Sequence, residues 1–181
     1  MKGFSFIQKW RNKIRIKGLH TVLLASNVKI VNCKIEIKGS ANSLIIHSGT
    51  TLRNVQIEIL GDNSLIEIGK NCIVGGNSYL SVKESTSLII GEDSMLSRNV
   101  KIMTSDGHPI YQNANVINAA KDINIGKGCW CGDNVTILKG VNVGSGSVVG
   151  INSTLTHAIA DNVVAVGNPA KVVKTDVSWA H

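Results

Sequence analysis

The segment Met103–Asp122, "MTSDGHPIYQNANVINAAKD", gathers side chains able to do chemistry. A histidine, here His108, is the residue type that can take a proton from a hydroxyl or an amine near neutral pH. Asp106 is close enough in sequence to orient the imidazole or to hold a substrate hydroxyl. Pro109 fixes the chain direction directly after the histidine. Together these residues describe a general base presented on a loop. On residue type alone, a solvated surface histidine with no task is the competing reading.

The other titratable groups point away from metal or redox chemistry. His20 precedes the regular part of the chain, His47 falls at a surface corner, His157 follows the last regular unit and His181 ends the chain. None stands at metal-site spacing from His108, so no metal is expected. Cys33, Cys72, Cys129 and Cys131 form no CxxC motif and have no histidine at zinc-finger spacing. They read as small buried apolar groups in a reducing compartment, with a cytoplasmic location the simplest fit.

The elements that must carry the loop are written as a repeat. From Ile125 the chain runs in sixes: "IGKGCW", "CGDNVT", "ILKGVN", "VGSGSV", "VGINST". The first position (Ile125, Cys131, Ile137, Val143, Val149, then Leu155) is always apolar. The fifth (Cys129, Val135, Val141, Ser147, Ser153) is always small or β-branched. Upstream the period lengthens: Val22, Leu44, Ile66 and Leu88 are 22 residues apart, as are Leu24, Ile46, Ile68 and Ile90, and Ile30, Leu52, Val74 and Leu96. Six residues make one short strand and a turn. One apolar chain per hexad fills a triangular prism, Gly and Asn serve the corners, and successive coils stack at strand spacing because none can bury its own face. Leu88 and Ile90 then pair by pattern with Ile123 and Ile125. The extra length between them is the His108 segment, thrown out from one corner, and a long insertion from a rigid scaffold is a place to look for function.

Composition fits this reading. The 181 residues suit one domain, aromatics make up 4% and there are 2 prolines. The net charge of +7 favours an anionic partner. No ladder of cations interleaved with aromatics suggests nucleic acid, no apolar run reaches membrane-span length, and Lys and Arg interrupt the start too often for a signal peptide.

Residues 1–20, "MKGFSFIQKWRNKIRIKGLH", form a separate basic segment. Phe4, Ile7, Trp10 and Ile14 recur at helical spacing, flanked by Lys2, Lys9, Arg11, Lys13, Arg15 and Lys17. One reading is a helix closing the open end of the prism; another is peripheral attachment to an anionic membrane. The prism would then cover 21–174 with the loop at 103–122, and 175–181 would be a tail.

With "SDGHP", "INIGKGCWCGDNVTILKGV", "VGSGSVVGINSTLT" and "VGNPAKVVK" the chain resembles the hexapeptide-repeat acyltransferases, across nearly all of 22–174. The likeness extends to the maltose, galactoside and nodulation-factor acetyltransferases and to bacterial polysaccharide O-acetyltransferases. The resemblance implies an all-β fold, a left-handed parallel β-helix, with acetyl-coenzyme A as co-substrate. It implies His108, followed by Pro109 as in the family's loop, as catalytic base, with Asp106 beside it. The family's donor positions fall on Asp133, Ile151, Thr156, His157, Lys171 and Lys174, with Trp130 beside the groove. Ile151 stands where Ala is common, His157 where Lys is common, and the two lysines where relatives often carry Arg. For the acceptor, the sugar acetyltransferases use an Asn where this chain has Gly75, leaving Asn77 and Asn118 as substitutes.

The implied activity is O-acetylation of a sugar in capsule, lipopolysaccharide or exopolysaccharide synthesis. The acceptor would attack the thioester directly, in a cytoplasmic homotrimer, at the inner face of the membrane if the basic segment attaches there. N-acetylation of an amino sugar nucleotide and a non-catalytic β-helix scaffold are the alternatives.

Overall fold

A computed structural model describes residues 3–180; Lys2 and His181 lie outside the described residues. Three parallel sheets of seven, six and eight strands form the faces of a prism, and each turn of chain contributes one short strand to each face. The first face begins with Lys13–Lys17, Lys34–Lys38, Gln56–Leu60 and Tyr79–Lys83, the second with Thr21–Leu24, and the third with Lys29–Val31. Its last strand, Ala170–Lys174, folds back antiparallel on Val164–Gly167.

The register matches the repeat. Val22 pairs with Leu44, Leu44 with Ile66 and Ile66 with Leu88, while Ile30, Leu52, Val74 and Leu96 stack on the third face. Across the break, Leu88 meets Ile123 and Ile90 meets Ile125. The inward chains fill the prism: Leu44, Ile46, Leu52, Ile57, Ile59, Leu80 and Ile102 are all 0% exposed. Each such side chain contributes about 1.5–3 kcal/mol of burial. The fifth-position residues Cys129, Val135, Val141, Ser147 and Ser153 are also buried, leaving room for the neighbouring first-position chain.

The longer period is placed at one corner. From Thr136 to Asn142 the chain crosses from the first face to the second within a hexad, whereas Gly39–Asn42 and Gly61–Ser64 lengthen that same corner in earlier coils. The His108 segment leaves from this corner too, so it enlarges a site where the coil already tolerates length. The third-to-first corner is instead tight and carries asparagines in the left-handed region, including Asn54 (φ 51), Asn77 (φ 62) and Asn134 (φ 61). A short amide side chain makes that conformation accessible to a non-glycine residue. Asn99, Asn134 and Asn152 also bond to one another along the stack, at 2.7 and 2.8 Å.

The basic segment departs from expectation. Its helix covers only Phe6–Arg11, with a capping box between Ser5 and Gln8. Lys13–Lys17 is a strand of the first face, in register with Lys34–Lys38, so the prism begins ahead of residue 21 and Ile14 belongs to a strand. The alternation of Ile14 and Ile16 between cations carries period two, and pairing with the next coil outweighs the coincident helical spacing. Phe4 and Ile14 pack on the core, while Ile7 and Trp10 face outward at 63% and 79% exposure.

Candidate active site

His108 sits on a loop that is closed at its neck. Thr104, fully buried, donates nothing to solvent: its backbone N–H bonds the Ser81 carbonyl and its carbonyl accepts from Lys121 N–H at 2.9 Å. The far part is a two-residue hairpin, Tyr111–Gln112 against Asn115–Val116. Asn113 (φ 49) and Ala114 (φ 63) take the positive-φ turn that such hairpins require. The segment thrown out from the corner therefore carries regular structure of its own. The sequence does not announce the hairpin, since Asn-Ala is a weaker turn signal than Asn-Gly.

Between neck and hairpin, Asn118 clamps the histidine's backbone. Its Oδ1 accepts from Ile110 N–H at 2.6 Å, and its Nδ2 donates to the His108 carbonyl at 2.9 Å and to Asp106 Oδ2 at 2.8 Å. Lys139, from the next coil, donates to Asp106 Oδ2 at 2.5 Å and to the Asn118 carbonyl at 2.6 Å. Lys139 and Asn118 together hold the Asp106 carboxyl below its ordinary range. Asp106 is thus joined to Lys139 and Asn118, and among the described residues the His108 ring has no hydrogen-bond partner. Asn118, expected to touch the acceptor, has its amide engaged in holding the loop. No sequence signal marks Lys139, which sits at an ordinary corner of "ILKGV". Only the structure shows its side chain turned under the loop, 17% exposed.

The residues expected to hold the donor fall into two groups flanking the first face. Asp133 and Ile151 lie at the third-to-first corner, one coil apart. Asp133 accepts from Arg98 Nε at 3.0 Å, Nη2 at 2.6 Å and backbone N–H at 2.9 Å, and this pairing lowers its pKa. Ile151 is 62% exposed beside Gly132, where an added Cβ would come within 2.9 Å of the Ile151 nitrogen. Thr156 and His157 lie at the loop's corner, with Thr156 Oγ1 and His157 Nδ1 2.8 Å apart. Lys171 and Lys174 are exposed on the antiparallel C-terminal strand. Trp130 projects from the third face, donates to Ser97 Oγ at 3.2 Å and packs against Trp179 of the tail, ring centroids 5.8 Å apart. Its aromatic packing partner is thus the tail.

On the acceptor side, a Cβ at Gly75 would lie 2.4 Å from the Ser97 carbonyl oxygen, so no asparagine fits there without moving the adjacent coil. Asn77 is exposed at the edge of a cleft of about 440 Å³ that Lys34, Gln56 and Tyr79 also border. All four cysteines are buried and unpaired. Among the described residues, no cluster of three or more His, Cys, Asp or Glu is placed to hold a metal ion.

Comparison with known proteins separates the coils from the loop. The model described as "Hexapeptide repeat of succinyl-transferase" matches 65–102 and 122–157, which brackets the His108 segment on both sides. A polysialic acid O-acetyltransferase of Neisseria meningitidis is 36% identical over 165 residues, covering 90% of this chain and 76% of its own length. The chain belongs to the hexapeptide-repeat acyltransferase family. Another member, a polysialic acid O-acetyltransferase of Escherichia coli O1:K1, is 37% identical over 138 residues; this acyltransferase matches 44% of that relative's length. Among solved structures, the polysialic acid O-acetyltransferase OatWY superposes with a TM-score of 0.86 at 31% identity, over 94% of this chain and 88% of that one. A galactoside acetyltransferase in complex with coenzyme A does so at 0.53 and 28% identity, over 71% and 65%. The acyltransferase fold here is therefore the hexapeptide β-helix, with the loop as an addition the repeat does not encode.

Proposed function

We propose that this acyltransferase moves an acetyl group from acetyl-coenzyme A to a sugar hydroxyl of a cell-surface polysaccharide. His108 takes the hydroxyl proton as the oxygen attacks the thioester carbonyl. The C–O bond forms, the C–S bond breaks through a tetrahedral intermediate, and the imidazolium returns the proton to the departing thiolate. No acyl-enzyme forms. The observation that carries the reading is the clasp of Lys139, Asp106 and Asn118. It holds the backbone that carries His108, whose ring has no hydrogen-bond partner among the described residues, and a pre-positioned base is what proton transfer in the transition state needs. The relatives named as O-acetyltransferases of polysialic acid and of galactosides support the acceptor class, and the galactoside acetyltransferase solved with coenzyme A supports the donor.

The donor would lie along the prism, with Trp130, Ile151 and the exposed Lys171 and Lys174 on one side and Thr156 and His157 on the other. Cations near Lys171 and Lys174 suit the 3′-phosphate and pyrophosphate. Because the two groups of residues sit at different corners of one prism, a groove that uses both is completed by a neighbouring copy. We therefore assign a homotrimer with the loop reaching across the interface. Asn77 is the acceptor contact that this arrangement leaves available.

The test is a screen of free and polymeric sugar acceptors with acetyl-coenzyme A, read by thiol release, in parent and His108→Ala protein. Acceptor-dependent release that His108→Ala abolishes supports the reading. Full acyl transfer by His108→Ala would remove the mechanism, and no coenzyme A binding would favour a scaffold.

A further inference from the structure

We propose that the N-terminal end of the β-helix is a docking surface for an anionic lipid bilayer. The charge of the molecule is segregated along its axis. Residues 1–35 hold eight of the 19 Lys and Arg and none of the 12 Asp and Glu, which leaves 11 cations against 12 anions for the remainder. The first segment thus carries +8 and the rest −1.

The fold stacks these cations instead of dispersing them. In the parallel ladder Lys13 lies over Lys34 and Lys17 over Lys38. Like charges set directly opposite are unfavourable, so this placement calls for an outside anion. Glu36 pairs with Lys38, whereas Lys9, Arg11, Lys13 and Lys17 form no ion pair among the described residues. Lys9, Lys13, Arg15 and Lys34 border an open groove of about 810 Å³.

Large apolar side chains share that end. Phe6 is 84% exposed, Ile7 63%, Trp10 79%, Leu19 87% and Ile16 41%. Closing the prism accounts for other residues of the segment: Phe4 and Ile14 pack on the core, and Asn12 binds the Ile30 carbonyl and Cys33 N–H at 3.0 and 2.7 Å. Among the described residues, it leaves Phe6, Trp10 and Leu19 without a covering element. A soluble polyanion would satisfy the lysines but not these groups. Aromatic and aliphatic chains ringed by cations match the boundary between headgroups and acyl chains, where both find partners. No helix of the described residues is long and apolar enough to cross a membrane, so the contact is interfacial.

The docking does not depend on the catalytic reading, but its use does. The strand Lys101–Met103, from which the loop springs, is four rungs along the first sheet from Lys13–Lys17, about 20 Å at ordinary strand spacing. His108 would stand at that height above the bilayer, level with a glycan chain rising from it.

The full chain is sedimented with vesicles of phosphatidylcholine alone and with one third phosphatidylglycerol, at low and high salt. The expected result is binding to the anionic vesicles only, weakened by salt. The Phe6→Ser/Trp10→Ser protein should lose about tenfold or more in partitioning, and Lys13→Ser/Lys17→Ser about fivefold for each charge removed. Unchanged thermal midpoints identify these as surface effects. No vesicle binding, or full binding by Phe6→Ser/Trp10→Ser, overturns the proposal; the latter would make the site an electrostatic one for soluble polyanions. So would a drop in oligomeric mass in that variant, which would make the apolar patch an interface between copies.

Discussion

Lys139 reaches out of the coil that follows the loop and binds Asp106 and the Asn118 carbonyl with one ammonium group. A residue 31 positions beyond the histidine in sequence thereby sets the path of the backbone that carries it. Lys139→Met should leave the prism intact, since an ion pair with a 43%-exposed carboxylate contributes at most about 1 kcal/mol. Acyl transfer should fall by about 10–100-fold through misplacement of the base. Faster hydrogen exchange at the Ile110 and Ile117 amides, with an unchanged melting temperature, would locate the effect in the loop. Lys139→Arg should retain part of the activity. Equal loop protection and activity in Lys139→Met would remove the positioning role.

The same contact fixes the sign of an acid response. Asp106 has its folded-state pKa lowered, first by the hydrogen bond from Lys139 and then by that from Asn118. Its contribution to loop order is therefore present above the ordinary carboxylate range, about pH 4, and is lost as pH falls through the lower folded value. Loop protection should hold from neutral pH down to that range and fade below it. In Asp106→Asn the fade should be absent.

His108→Ala should lower kcat by about 10²–10⁴, the usual contribution of a general base. The histidine is exposed and its ring bonds nothing among the described residues, so folding stability and coenzyme A affinity should not change. Parallel melting curves and donor titrations check this, and a variant that binds the donor poorly would place His108 in binding instead.

The prism was legible in the sequence because its register is physical: one inward chain per hexad must meet the same position of the next coil. Val22 over Leu44 and Leu88 over Ile123 follow from that alone. What escaped was set by contacts across coils that leave no period. Lys139, Asn118 and Arg98 act through partners 8 to 35 positions away. Trp179 is joined to Trp130 by a tail that carries no repeat. The strand at Lys13–Lys17 was hidden by a competing helical spacing whose apolar chains, Ile7 and Trp10, turned out to face solvent.

The four thiols should be silent toward an aromatic disulfide reagent in the native protein and react fully after denaturation. All are buried, and burial raises each pKa, to about 11 for Cys72 and Cys129 and further for Cys131. The reactive thiolate is therefore scarce at neutral pH. One rapidly titrating thiol in the folded chain would contradict this packing and would also obscure thiol-release assays.

Asn77 allows a conformational role and a binding role to be separated at one position. Its φ of 62° sits in the left-handed region, and its N–H bonds the Asn54 carbonyl at 2.9 Å. Asn77→Ala retains neither the amide nor an easy access to that backbone and should cost about 1–2 kcal/mol. Asn77→Gly keeps the backbone at little cost while removing the amide. Gly75 is barred from carrying a side chain by the Ser97 carbonyl, and the proposed acceptor contact therefore rests on the exposed amide of Asn77. Asn77→Gly should then raise the acceptor KM about tenfold, the worth of one hydrogen bond, at unchanged stability and donor KM. Steady-state kinetics beside urea unfolding of the two variants decides it: an acceptor KM unaltered in Asn77→Gly would leave Asn77 as a corner residue and nothing more.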